Sequence, residues 1–261
     1  MKTTTDIGAS VPKYDAYDKV TGRARYVEDY PSHGMLHART IRSTIARGRI
    51  LGITYDPAFD WSGFTIVDHR DIPGENVVAL IESDQPLLAA DRVNHHDEPI
   101  ALIAHEDPAR VLEGMKHVHV TYETLEPVLT IEDAIAVRQT LYRHDNVFKE
   151  IHIERGELAA EFARADVVLE GVYRVGSQEH IYIENNGMIA RRTPEGGVHV
   201  SGSLQCPYYV HKALCRAFGL PHEKVRVTQT VTGGGFGGKE EYPSVIAGHA
   251  ALVAWKSGRP V

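Results

Sequence analysis

Val225, Val227 and Val231 alternate with Arg226, Thr228, Thr230 and Thr232, the period-two pattern of a strand with one buried face. The pattern stops at Gly233-Gly234-Gly235-Phe236-Gly237-Gly238-Lys239-Glu240. Behind Pro243, the small residues Ala247, Gly248, Ala250, Ala251 and Ala254 predict a tightly packed helix, with Glu240 and Glu241 near its positive end. The unit is therefore a strand, a glycine loop and a helix. A second junction of this kind lies upstream. After a hairpin turn at Thr193-Pro194-Glu195-Gly196-Gly197, the residues Val198, Val200, Gly202 and Leu204 alternate toward a core. Pro207 then opens a helix with Val210, Ala213, Leu214, Ala217 and Phe218 on one face, closed by Gly219 and Pro221. Ser203 and Gln205 sit at the mouth of that junction, so both junctions can line a single pocket.

The first half reads differently. Met35–Ile41, Phe64–Val67, Ile100–His105 and His117–Tyr122 are predicted strands, and Asp107-Pro108 caps a helix carrying Ala109, Val111, Leu112 and Met115. Residues 13–136 are thus expected to form a small α+β domain. Periodicity fades between Leu125 and Glu150, which predicts a crossover into a second domain over 145–261. That domain is expected to begin with a helix from Glu157 to Arg164 and strands at Val167–Val175 and Ile181–Ile183.

Composition narrows the chemistry. A net charge of −7 over 261 residues argues against nucleic acid as a partner. Met1-Lys2-Thr3-Thr4-Thr5 has no apolar stretch behind it and no run reaches the length of a membrane span, so neither a membrane partner nor an exported protein is expected, and the cytoplasm is. The two cysteines, Cys206 and Cys215, are too few for an iron–sulfur cluster, so electrons would have to leave through another chain. His95-His96 before Asp97-Glu98, and His117 with His119, lack the three or four convergent ligands that a metal requires and read as exposed faces.

Five glycines among six residues let backbone N–H groups approach something large and electron-rich. Gly233, Gly238 and Lys239 satisfy the glycine and lysine positions of a phosphate loop, but Glu240 stands where a hydroxyl should hold magnesium. Gly233, Gly235 and Gly238 satisfy a dinucleotide fingerprint, but the acidic ribose ligand about 20 residues on is not in the sequence. A nucleotide-binding protein is accordingly a minor alternative, as is a turn with no ligand.

Nearly the whole chain resembles the molybdenum-cofactor subunit of the xanthine dehydrogenase and aldehyde oxidase family of molybdenum hydroxylases. The resemblance is carried by Lys19-Val20-Thr21-Gly22-Arg23-Ala24-Arg25-Tyr26 with Asp29, by Arg42-Ser43 with Ala46, and by Glu98-Pro99-Ile100-Ala101. It continues through Tyr122-Glu123-Thr124-Leu125, Gly156-Glu157, Glu170-Gly171-Val172-Tyr173-Arg174 and Gln178-Glu179-His180 with Glu184. Ser203-Leu204-Gln205-Cys206-Pro207 and the glycine loop complete it. The implied architecture is α+β: a hammerhead-like domain over 13–136, followed by the first part of a molybdopterin-binding domain over 145–261.

The resemblance implies that Gln205 hydrogen-bonds an oxygen of the molybdenum centre and that Phe236 presents its amide to that centre and its ring to a flat heteroaromatic substrate. Neither is a direct metal ligand. Gly234, Gly235 and Gly237 would let the pterin approach, and Glu240 would read a purine edge from a dry pocket. Gln178, His180 and Glu184 are expected to be structural. Leu204, Cys206 and Asn185 depart from the family's usual threonine, asparagine and proline. No catalytic base is matched within this chain; the family's base and most remaining pterin contacts lie in segments without a counterpart here.

The expected reaction is hydroxylation of a purine or related N-heterocycle with oxygen from water. The expected partners are a chain carrying the rest of the cofactor domain, a [2Fe-2S] subunit and an FAD subunit, with this chain inactive alone. The residues by themselves leave plainer readings open: Gln205 as a helix cap, Phe236 as a core ring, Glu240 as a helix N-terminal charge, and the whole as a non-catalytic fragment or scaffold.

Overall fold

The structure is a computed structural model in which residues 8–30, 33–78 and 82–261 are described; the first five residues, considered above for a targeting signal, lie outside them. In chain order the elements are α1 (Ala16–Val20), β1 (His37–Arg42), β2 (Gly48–Tyr55), β3 (Thr65–Asp68), β4 (Arg92–Val93), β5 (Pro99–His105) and α2 (Pro108–Lys116). They continue with β6 (Val118–Thr124), α3 (Ile131–Ile135), α4 (Leu158–Arg164), β7 (Met188–Arg192), β8 (Val198–Gly202), α5 (Pro207–Phe218), β9 (Val225–Gln229) and α6 (Pro243–Ser257). Two compact units result, one made of Met1–Glu123 with His180–Val261 and the other of Thr124–Glu179.

The first unit holds three three-stranded sheets, ordered β1-β5-β3, β4-β2-β6 and β7-β8-β9. β5 lies between two antiparallel neighbours, and its residues from Pro99 to Ala104 are all buried, as expected of a central strand covered on both faces. Asp107 caps α2 by accepting from the Ala109 N–H at 2.8 Å, and Pro108 occupies the first helical turn, where its missing N–H costs nothing. In the third sheet β7 and β8 form the predicted hairpin around Thr193–Gly197. β8 and β9 run parallel, joined through α5, and α5 ends at Gly219 with φ 60°.

α6 is the centre of this unit. From Val245 to Ala254 every residue except Ile246 is buried, which marks a helix covered on all sides rather than an amphipathic one. Its small residues permit that cover. A Cβ on Gly248 would lie 2.7 Å from Leu87 Cδ1, so glycine is what lets the Leu87 segment close on the helix. His249 is buried in the same turn. Its Nδ1 lies 3.1 Å from Thr40 Oγ1, and its Nε2 lies 3.1 Å from the Leu87 carbonyl. Burial, with a smaller contribution from the Arg42 charge, pushes its pKa down to about 4. After α6, Val261 exchanges two backbone hydrogen bonds of 2.9 Å with Ala190 on the outer edge of β7, so that edge is not bare.

Two expectations are corrected and one strand is added. β2 was not foreseen, because Gly48 and Gly52 and the adjoining Ile50 and Leu51 break the alternation of its sequence. His117 precedes β6 instead of opening it and serves as the C-terminal cap of α2. The strands expected at Val167–Val175 and Ile181–Ile183 are not formed. Leu169, Tyr173, Val175 and Ile183 stand exposed, and no strand among the described residues pairs with either segment. A strand is stabilised by its ladder, so an alternating sequence without a partner remains extended and irregular.

The second unit contains α3 and α4, neither with a buried residue. Its best-organised point is Asn146, in the left-handed region at φ 62°. The Asn146 Oδ1 accepts from the N–H groups of Leu141 and Tyr142, and Nδ2 donates to the carbonyls of Ala134 and Gln139.

Candidate cofactor site

The glycine loop and the β8–α5 junction do meet, and Gln205 is the clamp. The Gln205 N–H donates to the Lys239 carbonyl at 2.7 Å, while its Oε1 accepts from the N–H groups of Gly237 at 3.1 Å and Lys239 at 3.2 Å. Two backbone donors on one side-chain oxygen fix which end of the amide is oxygen. The Nε2 group, a double donor, is therefore turned away from the loop, and no acceptor among the described residues is recorded for it. The loop's glycines are required by this closeness: a Cβ on Gly235 would lie 2.3 Å from Gln205 Oε1, and one on Gly238 would lie 2.5 Å from Tyr182 Cε1.

Beneath the loop lies a charged pair. Lys239 is fully buried, its Nζ 3.1 Å from Glu184 Oε2 and 2.9 Å from Ser203 Oγ, and it stands over the Tyr182 ring at 4.8 Å. The same carboxylate oxygen accepts from Ser203 Oγ at 2.5 Å and from the Gly233 N–H at 2.7 Å. Burial pushes the Glu184 carboxyl up, but the bonds from Ser203, Gly233 and Lys239 outweigh it and hold the group below the ordinary glutamate value. Glu184 thus ties the first loop glycine to the lysine that ends the glycine run. Lys239 was considered above only as a phosphate ligand; its ammonium is spent inside the protein, a further reason against the nucleotide reading. Nothing in its sequence position marked it as buried, since lysines are among the residues least often enclosed.

On the outer side, Phe236 has φ 51° and is 74 % exposed, so it is not a core ring. The N–H groups of Gly234, Gly235 and Phe236 have no recorded acceptor among the described residues. The other two residues make no capping bond either. α5 has Cys206 at its N-cap with no side-chain bond, so Gln205 does not cap it, and no carboxylate caps α6. Glu240 is exposed, so the dry pocket expected around it is not supplied by the described residues of this chain. Its charge reaches Cys206, whose thiol is pushed up by burial and then by Glu240 and Glu241. Glu184 is placed as a structural group, as expected. Gln178 falls in the second unit.

Two family models match the chain: the molybdopterin cofactor-binding domain over residues 141–261, and the a/b hammerhead domain of aldehyde oxidase and xanthine dehydrogenase over residues 21–126. The chain belongs to the xanthine dehydrogenase and aldehyde oxidase family of molybdenum hydroxylases. It is similar to the nicotinate dehydrogenase large molybdopterin subunit of Eubacterium barkeri, 32% identical over 98% of this chain and 60% of that protein. It is also similar to xanthine dehydrogenase 1 of Arabidopsis thaliana, 34% identical over 100% of this chain and 19% of that one. Among solved structures, quinoline 2-oxidoreductase from Pseudomonas putida 86 superposes with a TM-score of 0.80 at 25% identity, over 97% of this chain and 34% of that one. The chain thus spans less than two thirds of the length of these molybdenum hydroxylase relatives.

The residues present fit the family's molybdenum-pterin cofactor. The groups that Gln205 and the glycine loop leave without a partner among the described residues are N–H donors, and the His180 ring borders the loop, its Nε2 3.6 Å from where a Cβ on Gly237 would lie. Such donors suit the oxygen atoms of a ligand.

Proposed function

We propose that this chain supplies part of the cofactor and substrate site of a hydroxylase acting on a purine or related N-heterocycle, with water as the oxygen source. The observation that carries the proposal is the Gln205 clamp: one amide oxygen closes the glycine loop and the amide nitrogen is left as an outward donor. The names of the relatives support the substrate class, since nicotinate, xanthine and quinoline are all nitrogen heteroaromatics.

When bound, the cofactor supplies the redox chemistry of hydroxylation. The chain's own residues bind and orient. Gln205 Nε2 and the free loop amides hold oxygen atoms of the cofactor in place, and the exposed Phe236 ring offers a flat face on which a heteroaromatic substrate stacks. Glu240, beside them in the chain, accepts hydrogen bonds from ring N–H groups of a purine. Water exclusion around Glu240 comes from the remaining part of the cofactor domain, held by another chain or segment. Iron–sulfur and flavin groups on partner chains would supply the path for electrons, so this chain alone would not turn over.

The test is to isolate the protein from its native host, determine molybdenum per chain and the masses of everything that accompanies it, and assay xanthine and nicotinate in oxygen-labelled water. Near-stoichiometric molybdenum, a second large chain and labelled hydroxylated product are expected. Turnover by the isolated 261-residue chain, or product carrying oxygen from another source, removes the proposal. Substitution Glu240→Ala should raise the KM for xanthine far more than that for nicotinate; equal effects on both remove the assigned role of Glu240.

A further inference from the structure

Away from the glycine loop, one group of soft ligands converges among the described residues. His211, Cys215 and His222 each bring a ligand atom within 4.8 Å of the others. We infer that these three residues form a site for a borderline divalent cation, with Zn²⁺ the best fit, held by one thiolate and two imidazoles.

The local fold assembles the site without strain. His211 and Cys215 are four residues apart on α5 and so share one face of the helix. Gly219 at φ 60° then reverses the chain, and the single 3-10 turn His222–Lys224 returns His222 to that face before β9 begins. The ring of His222 lies 5.2 Å from that of His211.

The detail that points to a cation is how His211 is held. Its Nε2 lies 3.1 Å from the His222 carbonyl, which can only accept, so that nitrogen carries the proton. Its Nδ1 is then the bare lone pair, and it faces Cys215 Sγ at 3.8 Å. A metal-binding histidine is commonly set in this way, one nitrogen anchored to a carbonyl and the other offered to the ion. In a tetrahedral zinc site a sulfur and a nitrogen ligand stand about 3.6 Å apart, from bond lengths of about 2.3 and 2.0 Å. One edge of the tetrahedron is therefore already at its bound length. Cys215 is half-buried and His222 exposed, which leaves the fourth position to water.

Binding would transfer the thiol proton to solvent and form a Zn–S bond and two Zn–N bonds. The ion would pin the last turns of α5 to the turn that starts β9. That crossover carries Gln205 at its beginning and leads into the glycine loop at its end, but the inference stands independently of what the loop binds.

The test is titration of the chelator-stripped chain with Zn²⁺, followed by native mass spectrometry and thermal unfolding, with Co²⁺ as a spectroscopic reporter. The chain has 15 histidines, so the reading lies in the variants. One tight Zn²⁺ per chain and a raised Tm are expected, with affinity at least about tenfold weaker in Cys215→Ser and in His222→Ala. Co²⁺ should give a thiolate charge-transfer band that Cys215→Ser abolishes and Cys206→Ser retains. Because His222 is exposed, His222→Ala keeps the test decisive if Cys215→Ser fails to fold. Wild-type affinity no greater than that of His222→Ala, or a cobalt complex without the thiolate band, overturns the inference.

Discussion

The glycine loop and the segment 167–175 were both singled out by sequence pattern, yet the first is tied down by the side chains of Glu184 and Gln205 and the second stands unpaired among the described residues. In Tyr173-Arg174-Val175 two apolar residues flank a polar one just as Val225 and Val227 flank Arg226. Val225 and Val227 find partners at Val198 and Val200 in β8, whereas Tyr173 and Val175 find none among the described residues. Periodicity specifies which face a strand would bury; it carries no information on what will cover that face. The difference between the two regions is therefore one of partners, not of propensity.

Substitutions should separate the regions by energy. The largest effect is expected at Lys239. Lys239→Met leaves the Glu184 carboxylate enclosed without its counter-charge and should cost roughly 3–5 kcal/mol in urea unfolding, much of it recovered by adding Glu184→Gln. A cost near zero would show that the loop does not depend on the pair beneath it.

Next comes acid. The folded pKa of His249, about 4, lies below its ordinary value of 6.5, so the unfolded chain binds the proton first as pH falls. The stability this neutral histidine protects is complete above its unfolded pKa. It is lost between the two values, roughly 3 kcal/mol by about pH 4. Unfolding of the wild type and of His249→Gln across that window should show this loss in the first only; parallel curves would mean that the ring is not neutral in the fold.

The smallest effect is expected in the exposed segment. Tyr173 is 93 % exposed, and Tyr173→Ser should move stability by less than about 0.5 kcal/mol. A loss above 1 kcal/mol, as an order of magnitude, would mean that the segment is packed in solution and that the contrast drawn here fails.

Much of the site was legible because it is local. Pro207, Gly219 and Pro243 bound their helices where punctuation rules place them, and the two strand–helix junctions could be read from Val198 to Leu204 and from Val225 to Val231. What could not be read was enclosure. Lys239 follows two glycines like any surface lysine, and only the fold reveals Glu184 and Ser203 beneath it, 55 and 36 residues away in sequence. Glu240 is the opposite case: expected in dry surroundings, it stands exposed, with no described residue of this chain packed over it. His211, Cys215 and His222 were legible in principle, since the helix was foreseen and an i, i+4 pair follows from it. In the sequence Cys206 and Cys215 stand out only as too few for an iron–sulfur cluster.

A free glutamine amide can rotate end for end at almost no cost and so serves donors and acceptors alike. With two backbone N–H groups on its oxygen, the Gln205 amide can make that turn only by giving up both bonds and setting like dipoles against each other. Its outer end therefore has a fixed polarity. An atom arriving with a lone pair is welcomed and a group that can only donate is refused, so the position selects acceptors whichever molecule brings them.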